Sequence, residues 1–335
     1  MKVAEIRDNK IVLSEREIPS LEDKTGAIVK INGCGLCGSD IVKFKEHLSE
    51  EGAVFGHEIV AQIIEINSKT GFKIGDKIVS SHHIPCFKCT YCKGESYSMC
   101  RHFKSTNIIP GGFSEYVYLS EEHLMNVTKI IPRNLSDEEV SFYEPLGCCV
   151  RAIKRAKLPP LSNVLVIGSG TIGILMSQAL KSFGMNVFAC DISDERVKTI
   201  QEFGIRAFNS SDVNYAKDYI YSNTDNTGVD CVFMTSGADA AIPLSFQTVR
   251  DGGKILVFSS TPMNAVYSNN EIYYRELTVL GSYSPRPGDL ETSLKLLTNR
   301  EVRVENLTTV YPIDDIWQAF EDTVNNKIMK AYIKF

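Results

Sequence analysis

The stretch NVLVIGSGTIGILMSQALKSFGMNVFACD, residues 163–191, decides the fold. It begins with an apolar run that predicts a buried strand and passes through Gly168, Gly170 and Gly173. It continues as a helix that ends at Gly184, and a second apolar run then ends at Asp191. A strand, a glycine turn, a helix and a second strand predict a βαβ unit whose helix N-terminus can hold the phosphates of a dinucleotide.

The three glycines and the acidic strand end indicate which dinucleotide is bound. Gly168 allows a tight turn, Gly170 lets the backbone approach a pyrophosphate, and Gly173 lets the helix pack close to the sheet. Asp191 can accept hydrogen bonds from the adenosine ribose, and its charge would repel a 2′-phosphate. The pattern therefore predicts NAD(H) rather than NADP(H). FAD is disfavoured because the motif lies in mid-chain, and a glycine turn that binds nothing is the remaining alternative.

The alternation of apolar strand-like runs and helical segments continues beyond this unit. VDCVFMTSG, DGGKILVFSS and LTVLGS are further apolar runs at the spacing of β-α repeats. Near-continuous apolar strands that alternate with helices predict an α/β domain with a doubly wound parallel sheet over residues 147–282. Residues 1–146 are instead rich in short strand-like runs such as EIVAQIIEI, and residues 283–335 contain one helix and a strand-like end. At 335 residues, two domains are expected.

Four cysteines form the second distinctive feature of the chain. Cys86, Cys89, Cys92 and Cys100 have the spacing C-x2-C-x2-C-x7-C, in a segment too poor in apolar residues to build its own core. Four soft ligands so close in sequence favour a closed tetrahedral zinc site. Disulfides, an iron–sulfur cluster and unrelated thiols are the alternatives. They are disfavoured because the chain looks cytosolic and has no other four-cysteine set.

Composition excludes several classes of function. The net charge is −5 and no block of lysine and arginine occurs, so a nucleic-acid partner is not expected. No membrane partner is expected either, since the longest apolar stretch is interrupted by glycines. The first residues lack the apolar region of a signal peptide, and ten cysteines then imply reduced thiols and a cytoplasmic location.

A second group of possible metal ligands lies outside the four-cysteine segment. Cys37 stands in GCGLCGSD, His57 in FGHE and Glu144 in YEPLG. With the four cysteines, the glycine motif and the acidic strand end, this order resembles the zinc-dependent medium-chain dehydrogenase/reductase family over essentially the whole chain. The branch it resembles contains the sorbitol, galactitol-phosphate and threonine dehydrogenases.

The resemblance implies an architecture and a function. It implies a GroES-like catalytic domain over residues 1–146 with a zinc lobe at about 84–103, a Rossmann NAD-binding domain over 147–282, and a return to the catalytic domain over 283–335. It implies hydride transfer between NAD(H) and a secondary alcohol of a polyol, sugar alcohol, cyclitol or sugar phosphate, with two zinc ions per chain. A threonine-type amino-alcohol dehydrogenase and a non-catalytic NAD-binding relative are the alternatives. Homodimers or homotetramers are expected.

The resemblance also implies roles for individual residues. Cys37 and His57 would bind the catalytic zinc with Glu144, and Glu58 would lie beside the metal as a direct ligand or through water. Cys148 competes with Glu144 for the third position. Asp40 would hold the other nitrogen of His57, and Ser39 would accept the proton of the substrate hydroxyl. Cofactor contacts are implied at the residues of the glycine motif and the acidic strand end: Gly168, Gly170, Thr171, Ile172, Gly173, Asp191 and Arg196.

The substrate is less well indicated. Alcohol dehydrogenases end the proton relay at a histidine where this chain has Val42, and His47 is a possible substitute. Lys43 and His83 are the candidate substrate residues, the first for a phosphate or carboxylate and the second from a similar H-I-x-C segment in threonine dehydrogenases. A small, polar secondary alcohol is therefore expected.

Overall fold

A computed structural model describes residues 1–260 and 266–335 of the chain. These residues divide into two compact units. The first unit comprises Met1–Pro145, Arg286–Thr298 and Val304–Phe335, and the second comprises Leu146–Pro285 and Asn299–Arg303.

The first unit contains two sheets. In the smaller sheet β1 (Lys2–Arg7) pairs with β2 (Lys10–Glu15) in antiparallel fashion. The larger sheet has seven strands in the order β14-β15-β3-β4-β5-β7, with β6 paired to β3. Its strands are β3 (Gly26–Gly35), β4 (Glu58–Ile66), β5 (Lys77–Ser80), β6 (Tyr116–Ser120), β7 (Thr128–Ile130), β14 (Thr308–Pro312) and β15 (Lys330–Lys334).

Short helices connect the strands of the first unit. They are α1 (Gly38–Lys45), α2 (Thr90–Lys93), α3 (Arg101–Ser105), α4 (Glu121–Asn126), α5 (Asp137–Val140), α12 (Pro287–Thr298) and α13 (Ile316–Val324). Most of β3 and the first half of β4 are buried, and their side chains share one core with Phe113 and Phe320. Burial in this core fixes the last residues of β3 and the first residues of β4.

The second unit is an α/β domain. Helix α6 (Tyr143–Ala156) is followed by a six-stranded sheet in the order β10-β9-β8-β11-β12-β13, in which every pairing is parallel. Counted from β8, this is the order 3-2-1-4-5-6 of the doubly wound dinucleotide-binding fold, so the predicted fold class is confirmed. The strands are β8 (Asn163–Ile167), β9 (Asn186–Asp191), β10 (Arg206–Asn209), β11 (Val229–Met234), β12 (Val249–Val257) and β13 (Thr278–Gly281).

The helices of this unit alternate with its strands. They are α7 (Thr171–Ser182), α8 (Asp194–Glu202), α9 (Val213–Ser222), α10 (Ala241–Thr248) and α11 (Asn269–Tyr274). Parallel strands require such crossovers, and the strands read as continuous apolar runs because β8 and β11 are almost fully buried. Within the described ranges, no helix is both long enough and apolar enough to cross a bilayer.

Candidate metal centres and cofactor site

The register of the larger sheet brings Cys37 close to His57. In the antiparallel pair β3 and β4, Gly35 lies opposite Glu58. The chain leaves β3 at Gly35 and enters β4 at Glu58, so the residues just beyond Gly35 and just before Glu58 lie at the same end of the sheet. The thiol and the imidazole therefore lie close together in space, although 19 residues separate them in the sequence.

Cys37, His57 and Glu58 form a group with the chemistry of a metal site. One ligand atom from each lies within 4.8 Å of the others. His57 and Glu58 are buried and Cys37 is partly exposed. A thiolate, an imidazole and a carboxylate suit zinc, and three protein ligands leave one position of a tetrahedral ion for substrate. Glu144 is buried in the first turn of α6 and is not part of this group, and neither is Cys148.

Asp40 orients both Cys37 and His57. One carboxylate oxygen accepts a hydrogen bond from the backbone N–H of Cys37 at 3.2 Å, and the other lies 3.4 Å from Nδ1 of His57. Although burial disfavours the charged imidazole, the charges of Asp40 and Cys37 raise the pKa of His57 well above its ordinary value. Asp40 thus holds Nδ1 and leaves Nε2 of His57 as the nitrogen that can bind a metal.

Glu58 is shared between this group and a buried lysine. Continuing the antiparallel register of β15 and β3, in which Tyr332 pairs with Gly35, places Lys330 opposite Cys37. Lys330 Nζ donates to Oε2 of Glu58, and both side chains are at most 6% exposed. Burial lowers the pKa of Lys330, but the charges of Glu58 and Cys37 and the hydrogen bond to Glu58 together outweigh it, so the net shift of the pKa is upward. Oε1 of Glu58 is buried and has no hydrogen-bond partner in the described chain.

Gly35 makes this ion pair possible. A Cβ atom at residue 35 would lie 2.1 Å from Oε2 of Glu58 and 3.0 Å from Cε of Lys330. Only a residue without a side chain leaves room for the carboxylate to reach the lysine. No sequence motif pointed to Lys330, whose position depends on the pairing of β15 with β3.

A series of aromatic rings extends from His57. The ring of His82 lies 4.4 Å from that of His57, the ring of His83 lies 3.9 Å from that of His82, and Phe103 follows at 4.8 Å. Nδ1 of His83 lies 2.6 Å from the carbonyl oxygen of Thr106. Burial lowers the pKa of His82 well below its ordinary value and that of His83 to about 4, so both rings are neutral at pH 7.

The remaining residues named from the sequence lie on or near α1. Ser39 is exposed in the first turn, next to Asp40. Lys43 is exposed in the last turn, and its charge acts on Asp40, His82 and His83. Val42 and His47 are also exposed. The face of α1 that carries Ser39 and Lys43 is therefore open to water beside the Cys37 group.

The four cysteines of residues 86–100 form a second group. All four sulfur atoms lie within 4.8 Å of one another. Sγ of Cys92 lies 3.6 Å from Sγ of Cys89 and 3.9 Å from Sγ of Cys86. Zinc–sulfur bonds of about 2.3 Å give a tetrahedron with edges of about 3.8 Å, so the donor set fits a zinc ion. The ten cysteines are all free thiols, which is inconsistent with the disulfide alternative.

The thiols of this group have unequal proton affinities. Burial and the neighbouring thiols raise the pKa of Cys92 to about 12. For Cys100, burial acts in the same direction but backbone hydrogen bonds outweigh it and lower the pKa to about 6. Without a cation the four sulfurs would not all be ionised at neutral pH, and a bound metal would displace the remaining protons.

The glycine motif lies at the topological switch point of the parallel sheet, between β8 and β11. Gly168 has φ +102°, which favours glycine, and a Cβ at Gly173 would lie 1.8 Å from the carbonyl oxygen of Gly168. The hydroxyl of Thr235 donates to the carbonyl oxygens of Ile167 and Gly168 at 3.0 Å each. These hydrogen bonds fix the conformation of the turn at the place where α/β sheets bind their ligands.

Asp191 is hydrogen-bonded to the glycine turn. Its carboxylate oxygens accept hydrogen bonds from the backbone N–H groups of Ser169 at 2.8 Å and Ser193 at 3.0 Å, and Arg196 lies 3.9 Å away. Each carboxylate oxygen has a second lone pair, so these bonds leave acceptor capacity for ribose hydroxyls. Thr171 and Ile172 form the first turn of α7, directly after the turn.

Comparisons with known proteins agree with this architecture. Residues 23–129 match the family described as the alcohol dehydrogenase GroES-like domain, and residues 171–299 match the family described as zinc-binding dehydrogenase. The chain is 31% identical over 314 residues to a sorbitol dehydrogenase of Halalkalibacterium halodurans, covering 91% of this chain and 90% of that protein.

Two further relatives also match over nearly the whole chain. The D-xylulose reductase A of Aspergillus oryzae is 29% identical over 347 residues, covering 97% of this chain and 94% of that protein. The crystal structure of galactitol-1-phosphate dehydrogenase from Escherichia coli superposes with a TM-score of 0.87 at 25% identity and covers both chains completely.

The zinc and nicotinamide cofactors expected from the sequence are those of this family. Both groups of candidate metal ligands and the dinucleotide turn have the donor chemistry that these cofactors need. The chain therefore belongs to the zinc-dependent medium-chain dehydrogenase/reductase family and is an oxidoreductase of small alcohols.

Proposed function

We propose that the chain is an NAD-dependent dehydrogenase that oxidises a secondary alcohol of a polyol, sugar alcohol, cyclitol or sugar phosphate to the ketone. The observation that carries the proposal is the group of Cys37, His57 and Glu58, whose ligand atoms lie within 4.8 Å of one another. Buried Oε1 of Glu58 has no partner within the described structure and is suited to a cation. The overall reaction would convert alcohol and NAD⁺ to ketone, NADH and a proton.

Cys37 and His57 would hold the catalytic zinc, and we place Glu58 as the third protein ligand. Its Oε1 atom supports this choice, as does the absence of Glu144 from the group. Glu144 and Cys148 remain the alternatives for this position. Bound there, zinc supplies a Lewis acid that polarises the substrate oxygen, while Asp40 fixes the orientation of His57.

The proton and the hydride leave the substrate by different routes. Ser39 would accept the hydroxyl proton and pass it to water, because it is exposed and lies next to the buried Asp40. The hydride would go to the nicotinamide of NAD⁺, which supplies the redox chemistry. Asp191 would bind the adenosine ribose together with the glycine turn, and its charge favours NAD over NADP. Arg196 would contribute to the same end of the cofactor.

The polar character of the substrate rests on the relatives and on the side chains around the group. The relatives reported above are named for sorbitol, xylulose and galactitol 1-phosphate. Near the group lie His82, His83 and the exposed Lys43, which suit hydroxyl groups or an anion better than an aliphatic chain. An amino alcohol such as L-threonine is the second candidate, because the segment around His83 is similar to that of threonine dehydrogenases.

A substrate panel tests the proposal. Protein whose zinc content has been measured would be assayed at 340 nm with sugar alcohols, cyclitols, sugar phosphates and L-threonine, each with NAD and with NADP. We expect two zinc ions per chain, oxidation of at least one polyol, and a preference for NAD. Faster oxidation of L-threonine than of every polyol would overturn the polyol assignment, and a preference for NADP would overturn the role of Asp191.

We also propose that the enzyme forms a homodimer or homotetramer in the cytoplasm. In the part of the chain that the structure describes, strand β13 is an edge strand paired with β12 alone, and Val279 on it and the nearby Tyr273, Tyr274 and Tyr283 are exposed. An apolar, unpaired strand edge favours pairing with a second copy. Sedimentation equilibrium tests the assembly. Free thiols suit a reducing compartment, which cell fractionation tests.

A further inference from the structure

His82 differs from the other histidines near the Cys37 group in its unsatisfied nitrogen. Nδ1 of His82 is buried and has no hydrogen-bond partner within the described part of the chain. By contrast, Nδ1 of His83 lies 2.6 Å from the carbonyl oxygen of Thr106, and Nδ1 of His57 faces Asp40. A buried polar atom without a partner is unfavourable, so such an atom next to a reaction centre indicates a ligand that completes it.

The sheet places His82 beside the candidate metal ligands. Ile59 pairs with Ser80 in the antiparallel strands β4 and β5, so continuing the register by two residues sets His82 opposite His57. Their ring centroids are 4.4 Å apart. The backbone of His82 is also held, since its carbonyl oxygen lies 3.0 Å from Nε2 of His123. The ring is therefore packed against the group rather than free in solvent.

The unpartnered nitrogen of His82 and the unpartnered carboxylate oxygen of Glu58 belong to two residues that both adjoin His57. Oε1 of Glu58 and Nδ1 of His82 are both buried, and both residues adjoin His57 in the sheet. Because both residues adjoin His57, an alcohol bound through one oxygen at the metal position could present a second oxygen, on the adjacent carbon, to the ring of His82. A hydroxyl can donate or accept, so either tautomer of an imidazole can bind it.

We propose that His82 is a specificity-determining residue that binds, through Nδ1, the substrate hydroxyl adjacent to the carbon being oxidised. This inference rests on the proposed function and narrows its substrate class to alcohols with a vicinal hydroxyl group. A site that hydrogen-bonds a hydroxyl discriminates against the analogue that lacks it, because the buried group is then left unpaired. Sequence reasoning singled out His83 instead, because the strand register that selects His82 is not visible in a motif.

Propane-1,2-diol and propan-2-ol form a matched pair for the test, because they share the secondary alcohol and differ only in the adjacent hydroxyl. The variants are His82→Leu, which removes the nitrogen, and His82→Asn, whose amide can replace Nδ1. We expect His82→Leu to lower kcat/KM for the diol by about tenfold or more and to change kcat/KM for propan-2-ol by less than about twofold. His82→Asn should recover most of the loss.

Binding gives a second measurement that does not need turnover. Propane-1,2-diol should raise the melting temperature of the zinc-loaded enzyme with NADH for the wild type and His82→Asn, and not for His82→Leu. An equal loss of kcat/KM for both alcohols, or no loss for either, would overturn the inference. If the wild type oxidises neither alcohol, the proposed function fails for these two alcohols. The role of His82 is overturned separately if the diol does not raise the melting temperature of the wild type, or if it still raises that of His82→Leu.

Discussion

The two candidate metal centres of the first unit are built in opposite ways. The four cysteines lie within residues 86–100, on short helical turns around a small core of Cys92, Cys100 and Phe103. Cys37, His57 and Glu58 instead come from the ends of two long strands in a large core, with Lys330 from a third strand beside them. We therefore expect the first centre to need its metal to fold, and the second to be positioned by the sheet whether or not a metal is bound.

The largest expected effect is the loss of activity without loss of the fold. Cys37→Ala should lower kcat/KM by at least about a thousandfold, or about 4 kcal/mol of transition-state free energy, because it removes a proposed ligand of the catalytic metal. Zinc should fall from two ions per chain to one, with the melting temperature nearly unchanged. Enzyme assays, metal analysis and calorimetry measure the three quantities.

Cys34→Ala is the matched control for that variant. Cys34 is a buried thiol three residues earlier, in β3, and it does not belong to either group of ligands. Its loss should leave two zinc ions per chain and substantial activity. Full activity of Cys37→Ala, or loss of both zinc ions, would contradict the view that the sheet positions this centre independently.

The second prediction concerns the four-cysteine lobe. Cys92→Ser should remove the other zinc ion and destabilise the protein by about 3 kcal/mol, because the small core of this segment cannot replace the metal. Limited proteolysis should then cut within residues 84–103, where the wild type resists. Retention of both zinc ions, or unchanged resistance to proteolysis, would show that the lobe folds without its metal.

The third prediction tests the charge balance of the sheet-built centre. Lys330→Met should destabilise the zinc-free protein by about 3 kcal/mol, because it leaves Glu58 as an uncompensated buried carboxylate. The cost should be smaller in the zinc-loaded protein, where the cation can compensate the same charge. Denaturant unfolding with and without a chelator measures both.

The double variant Lys330→Met with Glu58→Gln allows a double-mutant cycle for this ion pair. Without the carboxylate, the loss of Lys330 should cost less than it does alone, and the difference gives the coupling between the two residues. Equal costs of Lys330→Met in the presence and absence of Glu58 would mean that the buried pair does not carry the effect.

The smallest expected effect tests whether the two centres are independent. Phe103 belongs to the core of the lobe and ends the ring series that begins at His57. Phe103→Leu should lower the free energy of unfolding by about 1 kcal/mol and leave kcat/KM within about twofold. A tenfold loss of activity with both zinc ions retained would show that the rings couple the two centres.

Sequence and structure agree where the determining signals are local. The glycine turn, Asp191 and the strands around them follow from runs of residues in one segment, and the strand order 3-2-1-4-5-6 extends them. The four cysteines are recognisable because their spacing alone brings the sulfurs together. Strand β10 has no comparable signal, since its four residues RAFN carry too short an apolar pattern to predict a strand.

Sequence reasoning was incomplete where the determining signals are long-range. Cys37 and His57 could be proposed only because their motifs resemble a family. Lys330 and His82 belong to no motif, and their positions depend on the registers of β15 with β3 and of β4 with β5. A one-residue slip in either register would turn these side chains to the other face of the sheet.

Gly35 offers a way to adjust the chemistry of the enzyme without exchanging a donor atom. Its backbone lies in an ordinary strand, so alanine is compatible with its conformation, yet a methyl group there would displace the end of the Glu58 side chain from Lys330. A single methyl group would thus separate the carboxylate of Glu58 from its lysine and change the charge balance beside the metal position. An engineer who wishes to tune metal affinity or Lewis acidity could begin at this position.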